Sequence, residues 1–123
     1  MRLLVCGGRD FADELLFADR MSGVDARYPI HTIIEGGARG ADSMARHWAH
    51  NNLRFCDTYR AEWEQFGLRA GSIRNRRMAI EGRPDLVLAF PGGPGTRNMM
   101  GIARELRIPV WEAVPFPPPP PWP

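Results

Sequence analysis

The stretch Leu3-Leu4-Val5-Cys6-Gly7-Gly8-Arg9-Asp10 is an apolar run that meets two glycines at its end. A short, continuous apolar run is typical of a strand that is covered on both faces, as in a parallel sheet. Glycine at the end of such a strand lets the chain turn tightly into a following helix. The stretch therefore predicts the first strand–loop–helix unit of an α/β domain.

The same alternation continues along the rest of the chain. Further strand-like runs lie at 31–34, 54–59, 85–90 and 108–111, and helical patterns lie at 12–27, 41–51, 71–82 and 96–107. In the second of these helices, Ala41, Met44, Ala45 and Trp48 follow the spacing of one helix face. Five strands that alternate with four helices predict an α/β fold with a single doubly wound parallel sheet.

The composition fits one domain without a membrane span. The chain has 123 residues, of which 44% are hydrophobic, and it lacks the roughly 18 consecutive apolar residues that cross a bilayer. Its start does not resemble a signal peptide. Cys6 and Cys56 lie in strand-like runs and are expected to be buried thiols in a reducing compartment. No Cys/His spacing suggests a metal site. We therefore expect a cytoplasmic protein.

The end of the chain differs from the rest in composition. Residues 115–123 hold 7 of the 12 prolines, and polyproline II is the natural conformation of such a segment. The sequence therefore predicts one domain over 1–114 and a proline-rich C-terminal tail over 115–123. A frayed tail, a tail packed on the domain and a ligand for a partner all stay open.

All 16 basic residues are arginine, and 14 carboxylates leave a formal net charge of +2. This surplus is too small to argue for general binding to nucleic acid or membranes. Segment 69–83 nevertheless carries five arginines and one acid, a local charge of +4. Codon bias explains the missing lysine in bulk, whereas the guanidinium fork suits phosphate or carboxylate at particular positions.

Three predicted strand ends run into glycine-rich loops. They are Gly7-Gly8-Arg9, Gly36-Gly37-Ala38-Arg39-Gly40-Ala41-Asp42 and Pro91-Gly92-Gly93-Pro94-Gly95-Thr96. Ligands of open parallel sheets bind beyond the carboxyl ends of the strands, where helix N-termini offer free N–H groups to a phosphate. The loops predict a site for a nucleotide or sugar phosphate. Turns that need glycine only for their shape are the alternative. No loop has Walker A spacing, so a kinase or ATPase has little support.

Several single residues have two interpretations. The pair Arg74-Asn75, near a predicted helix start, is expected to contact the ligand. Asp42 either caps its helix or holds a ligand hydroxyl, and Thr96 either caps its helix or donates its hydroxyl to a phosphate oxygen. Trp63 either stacks on a base or packs over a loop.

The motifs resemble, in order, those of the YspA-like (YAcAr) group of the SLOG superfamily of Rossmann-like domains. The matching stretches are Gly7–Phe11, Gly37–Asp42, Ala61–Trp63, Ala70–Met78 and Pro91–Thr96. They cover nearly all of 1–114. The resemblance implies a SLOG-type nucleotide-binding domain with sheet order 3-2-1-4-5 and helices on both faces. It also implies that Cys6 and Cys56 lie on non-adjacent strands.

The superfamily includes the LOG phosphoribohydrolases, which release a base from a nucleoside 5′-monophosphate, and the DNA-processing protein DprA. In LOG enzymes the Pro-Gly-Gly-x-Gly-Thr motif is followed by a glutamate that serves glycosidic cleavage with an upstream arginine. Here Met99 stands at the glutamate position, and Arg74 matches the arginine. Glu35 and Asp42, on a neighbouring loop, are the carboxylates that are available as substitutes.

The predicted site therefore has two sets of residues. The catalytic candidates are Arg74, Glu35 and Asp42. The predicted ligand-binding residues are Gly7, Gly8, Arg9, Gly36, Gly37, Ala38, Arg39, Gly40, Asp42, Arg74, Asn75, Pro91, Gly92, Gly93, Gly95 and Thr96.

Three functions compete at this stage. The first is a sensor or processing module that binds a nucleotide or an ADP-ribose-like ligand, with no cofactor and no metal. The second is a LOG-like N-glycosidic hydrolase of a nucleoside monophosphate. The third is DprA-like binding of single-stranded DNA through 69–83, which ranks last because aromatic residues do not interleave with the arginines. Related domains pair through helices, which implies a homodimer as a further expectation.

Overall fold

The computed structural model describes residues 1–114, so the predicted tail at 115–123 lies outside the described residues. The strands are β1 (Arg2–Cys6), β2 (Thr32–Glu35), β3 (Phe55–Thr58), β4 (Leu86–Ala89) and β5 (Val110–Glu112). The helices are α1 (Glu14–Arg27), α2 (Ala41–Asn51), α3 (Trp63–Phe66), α4 (Ala70–Ile80) and α5 (Pro94–Glu105), with a 3-10 turn at Gly67–Arg69 between α3 and α4.

The strands form one all-parallel sheet in the order β3-β2-β1-β4-β5. This confirms the predicted α/β class and the order 3-2-1-4-5. Strand order reverses between β1 and β4, so the carboxyl ends of these two strands lie side by side at the crevice where such sheets bind ligands. Cys6 and Cys56 lie on strands that β2 separates, and both are free thiols.

Helices cover both faces of the sheet, which explains why its inner strands are so apolar. Alternate residues of a strand point to opposite faces. Leu3 and Val5 of β1 pack in one core with residues of α1 and α2, whereas Leu4 and Cys6 pack in a second core with residues of α4 and α5. The two cores fix the position of β1 and of the loop that follows it.

The four longer helices begin and end within about two residues of their predicted bounds, and local chemistry decides the differences. Helix α1 begins at Glu14 because the Asp13 carboxylate accepts a hydrogen bond from the N–H of Leu16 at 3.0 Å. Helix α5 begins two residues earlier than predicted, at Pro94, because proline fits the first position of a helix.

The sequence does not predict α3 or the 3-10 turn that follows it. A helix of four residues is too short to show a helical period. Even so, this segment lies at the carboxyl edge of the sheet and carries Trp63 and Leu68 there. None of the helices within 1–114 has the length and apolar character needed to cross a membrane.

Candidate functional site

The glycine-rich loops meet at the carboxyl edge of the sheet, and their backbones pack against one another. The N–H of Gly8 donates to the carbonyl of Pro91 at 2.9 Å, and the carbonyl of Gly8 accepts from the N–H of Ala41 at 3.3 Å. Gly40 has a φ of +76°, and a side chain there would overlap the carbonyl oxygen of Gly8. At Gly40, therefore, loop packing itself requires glycine.

Gly93 and Gly95 differ from these packed glycines. A Cβ placed on either of them would have no atom within 4 Å, so packing against the described residues does not require glycine there. Both line a cavity at the start of α5. Glycine at these positions leaves the backbone open to close approach by a ligand.

Two adjoining cavities lie over this edge of the sheet. The arginine cavity has a volume of about 380 Å³ and is lined by Arg9, Gly36, Gly37, Ala38, Arg39, Arg60, Ala61, Trp63 and Arg74. The α5 cavity has a volume of about 530 Å³ and lies between the loop after β1, helix α4 and the start of α5. Arg9, Ala38, Trp63 and Arg74 line both cavities.

Most of the predicted ligand-binding residues line at least one of the two cavities. They are Gly7, Gly8, Arg9, Gly36, Gly37, Ala38, Arg39, Asp42, Arg74, Asn75, Gly93, Gly95 and Thr96. The other three, Gly40, Pro91 and Gly92, are not among the lining residues. They pack against the loop at Gly8 instead.

Arg74 reaches from α4 to the loop after β2. Its Nη1 donates to the carbonyl of Gly36 at 2.6 Å, and its Nε donates to Oδ1 of Asn75 at 2.9 Å. The buried amide of Asn75 donates in turn to the carbonyl of Gly95 at 3.2 Å and to Oδ1 of Asn98 at 3.0 Å. Asn75 thus ties α4 to α5 and orients Arg74, so its own polar atoms are engaged within the protein.

Four arginines from four separate segments converge on the cavities: Arg9, Arg39, Arg60 and Arg74. Within residues 1–114, only Arg39 of these four has a carboxylate oxygen within 4.0 Å, that of Asp10 at 3.3 Å. Burial lowers the pKa of Arg74 and outweighs the nearby Asp42 carboxylate, which raises it. Four guanidinium groups against the one carboxyl group among the lining residues, that of Asp42, leave an excess of positive charge that attracts an anion.

Of the five arginines in segment 69–83, only Arg74 lines the cavities. Arg76 pairs with Glu105 at 3.3 Å, and Arg77 pairs with Glu81 at 3.1 Å. The predicted excess of positive charge is therefore spread around α4 and partly neutralised. The charge of the site comes instead from residues that are distant in sequence.

Asp42 lies in the first turn of α2 and lines the α5 cavity. Its Oδ2 accepts a hydrogen bond from the N–H of Ala38 at 3.2 Å. The carboxylate thus holds the preceding loop, while Gly40 is the N-cap of the helix. Burial raises the pKa of Asp42, and the negative charge of Glu35 raises it further.

Glu35 is fully buried at the end of β2 and is not among the lining residues of either cavity. Its carboxylate accepts hydrogen bonds from the N–H of Gly37 at 2.7 Å, from Nη1 of Arg46 at 3.1 Å and from the hydroxyl of Thr58. The structure thus places this catalytic candidate outside the two cavities, where it joins β2, β3 and α2.

Thr96 is the third residue of α5 and is only 6% exposed. Its hydroxyl has no hydrogen-bond partner within residues 1–114, and the residue lines the α5 cavity. The helix N-cap, Gly93, has no side chain to satisfy the first N–H groups, and Pro94 follows it. The start of α5 therefore combines free helix N–H groups with an unpartnered hydroxyl, which together suit a phosphate.

The sequence analysis missed Arg60 and left the role of Trp63 open. Arg60 follows the end of β3 by two residues. The argument that ligands bind beyond the carboxyl ends of strands, which selected the glycine-rich loops, would also have selected Arg60. The guanidinium of Arg9 lies 5.7 Å from the ring centroid of Trp63, which is half-exposed and lines both cavities. Among the described residues, no cluster of three or more His, Cys, Asp or Glu side chains is arranged to hold a metal ion.

Comparison with known proteins agrees with these observations. A sequence model of the YspA, cpYpsA-related SLOG family (YAcAr) matches residues 1–66. The Gene 61 protein of Mycobacterium phage D29 is 37% identical over 117 residues, which cover 89% of this chain and 93% of the phage protein. No solved structure matches the chain significantly. The family match confirms the resemblance over residues 1–66, which contain the first three of the five motifs.

Proposed function

The chain belongs to the YspA, cpYpsA-related SLOG family, and we propose that it binds a nucleotide or an ADP-ribose-like ligand, as a sensor or processing module. Membership of this family suggests a nucleotide-derived ligand. The observation that carries the proposal is the start of α5, where Thr96, whose hydroxyl has no hydrogen-bond partner within residues 1–114, lines a cavity together with the half-buried Arg74.

A phosphate fits this position for three physical reasons. The partial positive charge of a helix N-terminus favours an anion. Gly93 and Gly95 leave the backbone open to it. Arg74 has Nη1 and Nε engaged with Gly36 and Asn75. The guanidinium is therefore held in one orientation, and Nη2 stays available to donate to a phosphate oxygen.

Replacing Arg74 with glutamine is expected to weaken the binding of AMP and ADP-ribose by about tenfold to a hundredfold. A hydrogen bond to a charged group contributes roughly 1.5–3 kcal/mol, and 1.4 kcal/mol corresponds to about a tenfold change in affinity. Isothermal calorimetry on the full chain measures the change. Arg74→Lys, which keeps the charge and loses the planar fork, is expected to restore only part of the affinity.

Arg76→Gln is the matched control, because it removes the same charge from the same helix. Arg76 pairs with Glu105 on the surface and lines neither cavity. This variant is expected to bind within about twofold of the wild-type protein. Equal losses in both variants, or the absence of any binding of AMP, ADP-ribose and NAD, would exclude the proposal.

A second candidate function is glycosidic cleavage of a nucleoside monophosphate. It is favoured by Asp42, whose buried carboxyl group lines the same cavity as Thr96 and has a raised pKa. A carboxyl group with a raised pKa suits a general acid or base. Met99, at the position of the LOG glutamate, is buried and offers no such group.

Under this second proposal, Asp42→Asn is expected to lower base release from AMP by at least about a hundredfold, the usual contribution of a general acid–base group. Chromatography of the released base measures it. Loss of activity in Glu35→Gln but not in Asp42→Asn would transfer the role to Glu35. A wild-type protein that releases no base from a panel of nucleoside monophosphates would leave only the binding function.

The stability of Asp42→Asn shows whether a loss of base release comes from the missing carboxyl group or from unfolding of the variant. Because the pKa of folded Asp42 lies above its ordinary value, the folded state binds the proton more tightly, and stability falls as pH rises from below the ordinary value through the raised one. The asparagine variant lacks this loss and is expected to be no less stable than the wild-type protein at pH 7. Urea denaturation at pH 4 and pH 7 tests it.

A further inference from the structure

The arginine cavity contains cationic groups that the proposed phosphate position does not use. Arg39 and Arg60 line this cavity but not the α5 cavity. No carboxylate lies within 4.0 Å of Arg60 in the described part of the chain, and the pair of Arg39 with Asp10 is largely exposed at 76% and 95% of the two side chains. Exposed pairs of this kind contribute little stability, so Arg39 remains available to another anion.

The loop after β2 is shaped around two arginines. A side chain at Gly36 would overlap the guanidinium of Arg74, and one at Gly37 would come within 2.9 Å of Cγ of Arg60. Gly37 also has a φ of +75°. Two consecutive glycines thus make room for Arg74 and Arg60 to lie across the loop, and Nη1 of Arg60 donates to the carbonyl of Gly37 at 3.2 Å. Arg60 is therefore a positioned group.

Two backbone amides of this loop are already engaged within the protein. The N–H of Gly37 donates to Glu35 at 2.7 Å, and the N–H of Ala38 donates to Asp42 at 3.2 Å. Recognition in the arginine cavity consequently falls to the guanidinium groups, whose planar forks match the oxygens of a phosphate.

We propose that the arginine cavity binds a second phosphate of the same ligand, so that the ligand carries two phosphates on separate parts of the molecule. Within the proposed function this favours a nucleoside bisphosphate over ADP-ribose, whose two phosphates are adjacent. This inference rests on the proposed function for its first phosphate, at the start of α5. The two cavities share Arg9, Trp63 and Arg74, so one molecule reaches both. The half-exposed ring of Trp63 lies at their junction and offers a face on which a base stacks.

Calorimetry with AMP, ADP and adenosine 3′,5′-bisphosphate on the full chain tests the separation of the two phosphates. The bisphosphate is expected to bind at least about tenfold more tightly than AMP, as an additional charge-assisted contact predicts. ADP carries its second phosphate next to the first and is expected to gain less. An equal gain for ADP and the bisphosphate would indicate attraction by charge alone and would overturn the inference.

Variants test whether the second phosphate binds in the arginine cavity. Arg60→Gln, at an exposed position, is expected to bring the affinity ratio of bisphosphate to AMP close to one, while Arg76→Gln keeps the wild-type ratio. Thr96→Val removes the hydroxyl at the start of α5 and is expected to weaken both probes equally, so the ratio is kept. Thermal melts verify that each variant is folded.

The outcomes distinguish the two proposals. If AMP binds and Thr96→Val weakens it, but Arg60→Gln leaves the ratio unchanged, the nucleotide site stands and the second phosphate position is excluded. If none of the three probes binds but ADP-ribose or NAD does, the nucleotide site stands and the second phosphate position is excluded. If none of these five compounds binds the wild-type protein, both proposals are excluded.

Discussion

Replacing Gly40 with alanine is expected to lower the free energy of unfolding by about 3–5 kcal/mol. Gly40 has φ and ψ of 76° and −128°, a conformation that residues with a side chain rarely adopt and that costs them roughly 1–3 kcal/mol. A Cβ would also overlap the carbonyl oxygen of Gly8. That carbonyl accepts hydrogen bonds from Phe11 and Ala41, so it has little freedom to move.

Urea denaturation followed by circular dichroism measures this loss, and Gly101→Ala provides the matched control. Gly101 lies inside α5, and a Cβ there would have no atom within 4 Å. Alanine favours a helix over glycine by about 0.5–1 kcal/mol, so this variant is expected to gain stability. A loss below about 1 kcal/mol in Gly40→Ala would mean that the loops separate easily and that their packing does not fix the site.

The strands could be predicted from the residues themselves, whereas their order could be predicted only from the motif resemblance. Short apolar runs such as Leu3–Cys6 indicate strands that are covered on both faces, and the motif resemblance supplies their order. That order places β1 beside β4 and so brings the loops that follow them to one crevice, as the structure shows. Helix α3 could not be predicted, because its four residues carry no period and no side-chain cap.

The positions of individual side chains at the site could be predicted only in part. Arg74 was selected from its motif and lines both cavities. Glu35 was selected because it precedes a glycine loop, but the last residue of a strand points to one face or the other according to the strand's alternation. Ile33 packs with residues of α1 and α2, so Glu35 shares that face and meets Arg46.

The charge along the chain is also a poor guide to the charge at the site, because it does not show where each side chain points. Consecutive residues of a helix point in different directions, so the arginines of 69–83 cannot form one face. Arg60 stands outside that segment, yet it lies beside Arg74 because the carboxyl ends of parallel strands meet at one edge. Counting charges within one stretch of sequence therefore underestimates the positive charge at a site whose residues come from several strand ends.

Replacing Arg46 with methionine is expected to destabilise the fold by about 2–3 kcal/mol. This is less than the roughly 3–5 kcal/mol lost when a fully buried ion pair loses one partner, because solvent screens the partly exposed Arg46. The side chain of Glu35 is 0% exposed, and that of Arg46 is 35% exposed. Methionine keeps an apolar stem and removes the guanidinium. Within residues 1–114 the buried carboxylate then retains only the N–H of Gly37, the hydroxyl of Thr58 and the thiol of Cys56 as donors. Urea denaturation at pH 7 measures the loss.

Glu35→Gln in the Arg46→Met background is expected to restore most of this stability, because the neutral amide no longer needs a counter-ion and its oxygen still accepts from Gly37. Glu35→Gln alone is expected to cost less than Arg46→Met, since the partly exposed Arg46 can turn towards water. A double-mutant cycle isolates the coupling between the two side chains. Additive losses would show that the ion pair contributes nothing of its own. A coupling of several kcal/mol would show that this buried pair joins β2 to α2 and thereby supports the loop on which Arg60 and Arg74 lie.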